Sequence, residues 1–127
     1  MTNTDTATLT ELLDQHLQAY GEPDASLRDP VVRRIWASDG RLVDPPLEGQ
    51  GHDAIVGLGD AVAQHFPGHT FVRTTAVDAH HEFARYGWEL RGPDGAVAVN
   101  GIDVVTLADD GTIAQVVGFF GDLAPAS

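Results

Sequence analysis

The feature that most constrains this chain is a change of hydrophobic period near its middle. Between Thr8 and Phe66 apolar residues recur at helical spacing, and between Thr70 and Phe120 they alternate. Segments of the first kind bury a stripe, and segments of the second bury one face. A run of helices followed by a run of strands predicts an α+β domain rather than a parallel sheet wound by crossover helices. With 127 residues, the chain is expected to form a single domain over 1–127.

The first helix is expected from Thr8 to Tyr20, with Leu9, Leu12, Leu13, His16, Leu17 and Tyr20 on one stripe. Thr8 or Thr10 can cap it, and Gly21 and Pro23 stop it. A second helix ends at Ile35 and Trp36. Its start has two readings: Asp29-Pro30 as cap and first helical residue, or an earlier turn opened by Asp24 with Pro30 bending the helix. Asp39-Gly40 reads as a turn, and Arg41 to Asp44 as a short strand cut off by Pro45-Pro46. A third helix is expected from His52 to Phe66, with Ile55, Leu58, Val62 and Phe66 inward. Long strands follow over Thr70–Ala79, Glu82–Arg91, Ala96–Leu107 and Thr112–Phe120, as an antiparallel meander. Pro93-Asp94-Gly95 and Asp109-Asp110-Gly111 supply tight turns.

Charge excludes several partners. Lys plus Arg number 7 against 19 Asp plus Glu, a net charge of −12. Such a chain repels phosphate backbones and anionic bilayers, so no nucleic-acid or membrane partner is expected. The absence of cysteine removes disulfides, thiolate metal sites and thiol catalysis. No run approaches the roughly 20 apolar residues that span a bilayer. Met1–Thr10 carries no basic-then-apolar leader, so a cytoplasmic protein is expected.

Strand parity singles out an acid. Ala84, Tyr86, Trp88 and Leu90 share the face expected to be buried. On the next strand Val97, Val99, Gly101, Asp103, Val105 and Leu107 share a face, so Asp103 stands in phase with aliphatic residues. A carboxylate there is costly unless satisfied. The opposite face, with Ala98, Asn100, Ile102, Val104 and Thr106, is half apolar, and such faces often pair with another subunit. Asp44 is the second notable acid, with His16 and Tyr20 on the apolar face of the first helix. A carboxyl in an apolar pocket has its pKa raised. Two acids held at different pKa values divide into a proton acceptor and a neutral donor.

Together these features resemble the nuclear transport factor 2 superfamily, in particular its SnoaL-like and ketosteroid isomerase-like members. The resemblance covers nearly the whole chain. It is carried by Ile35-Trp36-Ala37-Ser38-Asp39-Gly40-Arg41-Leu42-Val43-Asp44-Pro45, by Gly49 to Ile55, by Gly101-Ile102-Asp103-Val104-Val105, and by Asp110-Gly111-Thr112-Ile113. It implies a cone of three N-terminal helices packed on a strongly curved, mostly antiparallel sheet. It also implies a homodimer through the outer sheet face.

Carried over position by position, Asp44 falls where ketosteroid isomerases keep their general base. Asp103 falls where they keep a protonated oxyanion-hole acid, and Tyr20 on their oxyanion tyrosine. That neutral acid is a known property of ketosteroid isomerase, not something these residues establish. Tyr86, Trp88, Leu90, Val99, Val116 and Phe120 match pocket-lining positions, and His80 and His16 keep a histidine-dependent dehydratase in view. Trp88 replaces a smaller residue, and Gly101 and Val99 replace bulkier ones, so a steroid substrate is not implied. An epoxide hydrolase would want a further inward acid near the end of the last strand. Gly121 stands there, and Asp122 is out of phase with Phe120.

The function expected is a cofactor-free isomerase, cyclase or lyase. It would take a proton next to a carbonyl of a small, largely apolar, polyketide-like molecule. Asp44 would be the base, and Asp103 with Tyr20 or His16 would hold the enolate oxygen. The alternatives are a non-catalytic small-molecule binding or dimerisation module, and a dehydratase or epoxide-hydrolase-like enzyme. Each residue also has a plainer role: Asp103 bonded to nearby donors, Asp44 satisfying turn amides, and Tyr20 and His16 as core side chains. No metal is expected. Adjacent His80 and His81 on a strand point to opposite faces, with one bonded to Asp78 or Glu82, while His65 and His69 flank a Pro-Gly turn.

Overall fold

A computed structural model describes residues 6–127, so the leader reading of Met1–Thr10 lies outside the described residues over 1–5. Helix α1 spans Thr6–Tyr20 and buries Leu9, Leu13, His16, Leu17 and Tyr20, the predicted stripe. It starts before Thr8, so Thr8 and Thr10 lie inside it and cap nothing. Helix α2 spans Ala25–Ile35. Of its two possible starts the earlier one holds: the Asp24 carboxylate accepts from Ser26 N at 2.9 Å, and Pro30 lies within the helix. Helix α3 spans His52–His65 and buries Ile55 and Val62, while Leu58 and Phe66 are only half-buried.

The strands are β1 Trp36–Val43, β2 Glu48–Gln50, β3 Thr70–Arg73, β4 Asp78–His80, β5 Phe83–Arg91, β6 Val97–Leu107 and β7 Ile113–Phe120. They form one curved seven-stranded sheet ordered β2-β1-β7-β6-β5-β3, with β4 also paired to β5. The architecture is α+β, and the sheet is mixed, because β1 runs parallel to β7. The meander prediction misses that pairing, which the long connection from β1 through α3 and the intervening strands makes possible.

Three local expectations are corrected. Asp39-Gly40 is not a turn but lies inside β1, where the register against β7 slips between Trp36 and Arg41. A Cβ on Gly40 would stand 2.6 Å from Trp36 Cε3, so glycine here serves a bulge folded over an indole. Asp44 lies just past β1 rather than on it. The expected strand Thr70–Ala79 breaks into β3 and β4. At the break Thr74 N donates to Gly87 O, and Gly87 N donates to Thr75 Oγ1.

The core lies between the helices and the inner face of the sheet. Leu13, Leu17, Val32, Ile35 and Ile55 meet Ala84, Tyr86, Trp88, Leu90, Val105 and Val116 there. The predicted parity of β5 holds throughout, whereas Val97 on β6 is exposed beyond the reach of the helices. The outer face exposes Phe83, Ile102, Val104 and Phe119. Arg28 is a buried cation that periodicity did not single out. Its guanidinium bonds Glu22 O, Val56 O and the Asp60 carboxylate, and it occupies the space that a side chain on Gly59 would need. It ties the α1–α2 loop and α2 to α3. Among the described residues no helix is long and apolar enough to cross a membrane.

Candidate active site

Two buried carboxyls face each other across β7. Asp44 follows β1, and the Pro45-Pro46 turn fixes its backbone: its N–H donates to Leu47 O at 2.8 Å, and its carbonyl accepts from Leu47 N at 3.1 Å. Because the backbone closes the turn, the side chain is free to point inward, where it is 8 % exposed. Its Oδ2 accepts from the Tyr20 hydroxyl at 2.7 Å. Asp103 lies mid-strand on β6, opposite Tyr86 on β5 and Gly118 on β7. Its Oδ2 accepts from the Tyr86 hydroxyl at 2.7 Å, and His16 Nε2 stands 3.9 Å away.

Gly118 makes this approach possible. A Cβ there would collide with Asp44 Oδ1 and lie 3.3 Å from Asp103 Oδ1. Strand parity could not find it, because its role is the absence of a side chain. Trp88 depends on a similar gap: Gly101, its β6 partner, lies beneath the indole, and a Cβ on Gly101 would stand 2.6 Å from Cζ2.

Burial sets the protonation of the group. It pushes the Asp103 carboxyl up to about 7, and the Asp44 charge adds to the rise. The Tyr86 hydroxyl and the Trp88 indole oppose it. Burial also raises Asp44 above the ordinary carboxylate range, with the Tyr20 hydroxyl acting against it. His16 falls to about 4 through burial, so at neutral pH it is an uncharged imidazole. Burial raises both tyrosine hydroxyls well above their ordinary value, followed by the charge of the carboxylate each one serves. Both therefore act only as neutral donors.

A cavity of about 560 Å³ opens beside these groups, within the size range of small-molecule sites. Tyr20, Asp44, Trp88, Leu90, Val99 and Phe120 line it. A crevice of about 10 Å³ lies behind, walled by His16, Tyr20, Asp44, Trp88, Asp103 and Val116. That volume is about the smallest that admits one water-sized group. Residues common to both spaces, Tyr20, Asp44, Phe71 and Trp88, form the cavity floor.

The structure departs from the expected arrangement in three ways. Tyr20 bonds Asp44 and not Asp103, because it ends α1 above the β1 terminus. Tyr86 lines neither space; it stands beside Asp103 and satisfies it. His80 is exposed on β4 at the sheet rim, in a separate surface depression with Asp78 and Arg85. His80 and His81 touch each other at 3.1 Å, while Asp78 pairs with Arg85 instead. Asp122 is exposed and accepts from Asn100.

Sequence reasoning missed part of the wall. Phe71 from β3 stacks on Tyr20 at 5.1 Å and meets Trp88 edge-on at 5.5 Å. Ala61, Val62 and His65 supply a stripe of α3, and Phe66 follows at its C-terminal cap. Their helical spacing was visible, but it reads equally as core. Among the described residues no group of three or more His, Cys, Asp or Glu side chains is placed to hold a metal ion.

No family model and no curated protein sequence matches the chain. Solved structures do. A SnoaL-like family protein from Agrobacterium tumefaciens, described as a candidate isomerase, is 37 % identical, with a TM-score of 0.84 over 89 % of this chain and 97 % of that one. A protein from Jannaschia sp. CCS1, described as a candidate SnoaL-like polyketide cyclase, is 17 % identical, with a TM-score of 0.67 over 93 % and 91 %. A protein of ketosteroid isomerase-like fold from Catenulispora acidiphila, bound to trimethylamine, is 13 % identical, with a TM-score of 0.71 over 87 % and 85 %. At these identities the last two speak for the fold alone.

Proposed function

The chain belongs to the SnoaL-like family, and from that premise we propose that it is an enzyme that takes a proton from carbon next to a carbonyl. The observation that carries this reading is Asp44, a carboxyl raised by burial, on the floor of an apolar cavity of about 560 Å³. A carboxylate with a raised pKa is a stronger base than one in water, and it stands where an apolar ligand would rest. Asp103, with its pKa near 7, holds its own proton while Asp44 is ionised.

In the step proposed, Asp44 takes the proton, the C–H electron pair becomes a C=C bond, and the carbonyl π pair moves to oxygen. Return of the proton to another carbon gives isomerisation. Attack of the enolate on a second carbonyl, with the proton passing from Asp44 to the new alkoxide, gives aldol cyclisation; loss of a hydroxyl from the next carbon, leaving as water with that proton, gives elimination. These side chains can perform each without a cofactor. The substrate class is a small, largely apolar ketone with an acidic neighbouring C–H, sized to a cone-shaped fold whose mouth is this cavity. We take the exposed Phe83, Ile102, Val104 and Phe119 as the surface through which two copies pair.

Deuterium exchange tests the reading. A panel of enolisable cyclic ketones and β-diketones is incubated with protein in D2O and followed by NMR. Wild type should speed exchange at the carbon next to the carbonyl, and Asp44→Asn should not. A wild-type rate no faster than the protein-free rate would leave a binding module in place of an enzyme, and equal acceleration by the two proteins would remove Asp44 from the role of base.

A further inference from the structure

The Trp88 side chain is 4 % exposed. Its Nε1 is the one buried side-chain nitrogen or oxygen, among the described residues, without a hydrogen-bond partner. An unpaired buried donor costs about 1–3 kcal/mol, and native proteins rarely leave one without a reason. The ring has little freedom to turn toward a partner. Phe71 and Phe120 meet it edge-on at 5.5 and 5.7 Å, and Gly101 lies directly beneath it.

The orientation of this donor is informative. The indole N–H faces the Asp103 carboxyl closely enough to lower its pKa, yet stands outside hydrogen-bond geometry to it. Its N–H therefore points to the Asp103 end of the crevice. Trp88 is also one of the four residues shared by cavity and crevice, so a ligand on the cavity floor meets it. The neighbouring hydroxyl donors are committed, Tyr20 to Asp44 and Tyr86 to Asp103. The indole N–H is not. At about 10 Å³, the crevice takes one oxygen atom and little more.

We propose that Trp88 is a catalytic residue whose Nε1–H donates to the substrate's carbonyl oxygen, seated in the crevice beside Asp103. This rests on the reading of Asp44 as a base acting next to a carbonyl. When Asp44 takes the proton, the displaced π pair collects on that oxygen. A fixed donor in a dry site then binds the oxygen more strongly than it bound the ground-state carbonyl. When the proton returns to carbon, the pair returns to the C=O bond and the donor is left as it began. The ligand class selected is a planar frame bearing one oxygen anion: an enolate, or a phenolate as its stable mimic.

The test uses substituted phenols of graded acidity at neutral pH, with calorimetric titration of wild type, Trp88→Phe and Asp44→Asn. Wild type should bind the more acidic phenols more tightly. Trp88→Phe keeps the ring but lacks the donor, and should weaken the most acidic phenols by about ten- to a hundredfold. The least acidic phenols should lose less, so the dependence of Kd on phenol acidity flattens. A merely structural role would weaken all of them alike.

A second readout does not depend on the variant folding. In wild type the indole N–H resonance of Trp88, told from that of Trp36 by sequential NMR assignment, should move downfield on phenolate binding. The proposal is overturned if wild type binds no phenol, if the acidity dependence survives Trp88→Phe, or if a saturating phenolate leaves the resonance in place. Failure of the Asp44 reading looks different: deuterium exchange would be unaffected by Asp44→Asn while the phenolate dependence on Trp88 persisted.

Discussion

Asp44 and Asp103 are the same side chain in nearly the same first setting. Each accepts from one tyrosine hydroxyl at 2.7 Å, and the two flank Gly118. They differ in what lies beyond. Asp44 ends a strand at the floor of an open cavity, whereas Asp103 sits mid-sheet, reached only through a narrow crevice. Asp103 also feels Asp44, which raises its pKa further, to about 7. An identical hydrogen bond does not give an identical acid; depth and order of ionisation decide. Asp44 ionises first, and its charge then holds the proton on Asp103.

The hardest break of that pair is loss of Asp44, the base proposed above. Asp44→Asn should cut deuterium exchange into a ketone substrate by roughly a hundred- to ten-thousandfold, read as initial rates by NMR on protein shown to be folded by circular dichroism. Asp103→Asn should cost less, because the amide still offers an N–H where the carboxyl offered an O–H. Equal losses would mean that the acids do not divide the work as their surroundings suggest.

The next largest effect is on stability against pH. The folded pKa of Asp103, about 7, lies above its ordinary value of 3.8. Its contribution is therefore fully present below the unfolded pKa and is lost as pH rises through about 7. His16 works in the opposite sense. Its folded pKa is about 4 against 6.5, so its contribution is present above the unfolded value and is lost as pH falls through about 4. Over the acidic range where both slopes act, they oppose one another. Denaturant titrations at several pH values should therefore show stability rising with pH in Asp103→Asn, where His16 acts against a smaller opposing slope from Asp44. Stability should fall with pH in His16→Leu. Each slope should span roughly a few kcal/mol. Two parallel profiles would show that the burial of one of these groups is relieved.

The same contrast separates what could be read in the sequence from what could not. Period and parity place Tyr20, Trp88 and Asp103 because those signals report which face a side chain occupies, and all three face inward; Asp44, past the end of β1, was singled out by the resemblance and not by parity. They fail where geometry comes from an interruption. Gly40 makes a bulge inside β1 that looks like a turn, and Thr74 to Val77 break a strand that alternates well. They also fail on pairing. Nothing in the alternation of β1 and β7 states that the two run parallel, which brings Asp44 beside Gly118. Tyr86 was placed on the right face, but whether an inward tyrosine reaches the cavity or a neighbouring acid depends on its cross-strand partner, here Asp103.

Gly118→Ala sharpens the comparison by pushing the acids apart. Its methyl would collide with the Asp44 carboxylate and press on Asp103 from 3.3 Å. Such overpacking costs typically about 1–3 kcal/mol, measurable by denaturant titration. The Asp44 carboxylate must swing away from β7, so exchange should fall, and the pKa of Asp103, relieved of part of the Asp44 charge, should fall with it. Direct 13C-NMR titration of the carboxyls reads that shift. An unchanged Asp103 pKa would mean that burial alone sets it.

The smallest effects come from the two tyrosines, and there the pairs should part most cleanly. Each hydroxyl lowers its acid's pKa, so Tyr20→Phe should raise Asp44 and Tyr86→Phe should raise Asp103. Each variant loses one hydrogen bond, a net loss of roughly 0.5–1.5 kcal/mol. The readouts differ because the acids differ. If Asp44 is the base, Tyr20→Phe moves the rising limb of the exchange-rate profile to higher pH. Tyr86→Phe leaves that limb in place and instead extends to higher pH the range over which stability falls. Tyr86→Phe moving the rising limb as Tyr20→Phe does would show that the two carboxyls titrate as one unit, and the distinction between an outer base and an inner donor would have to be abandoned.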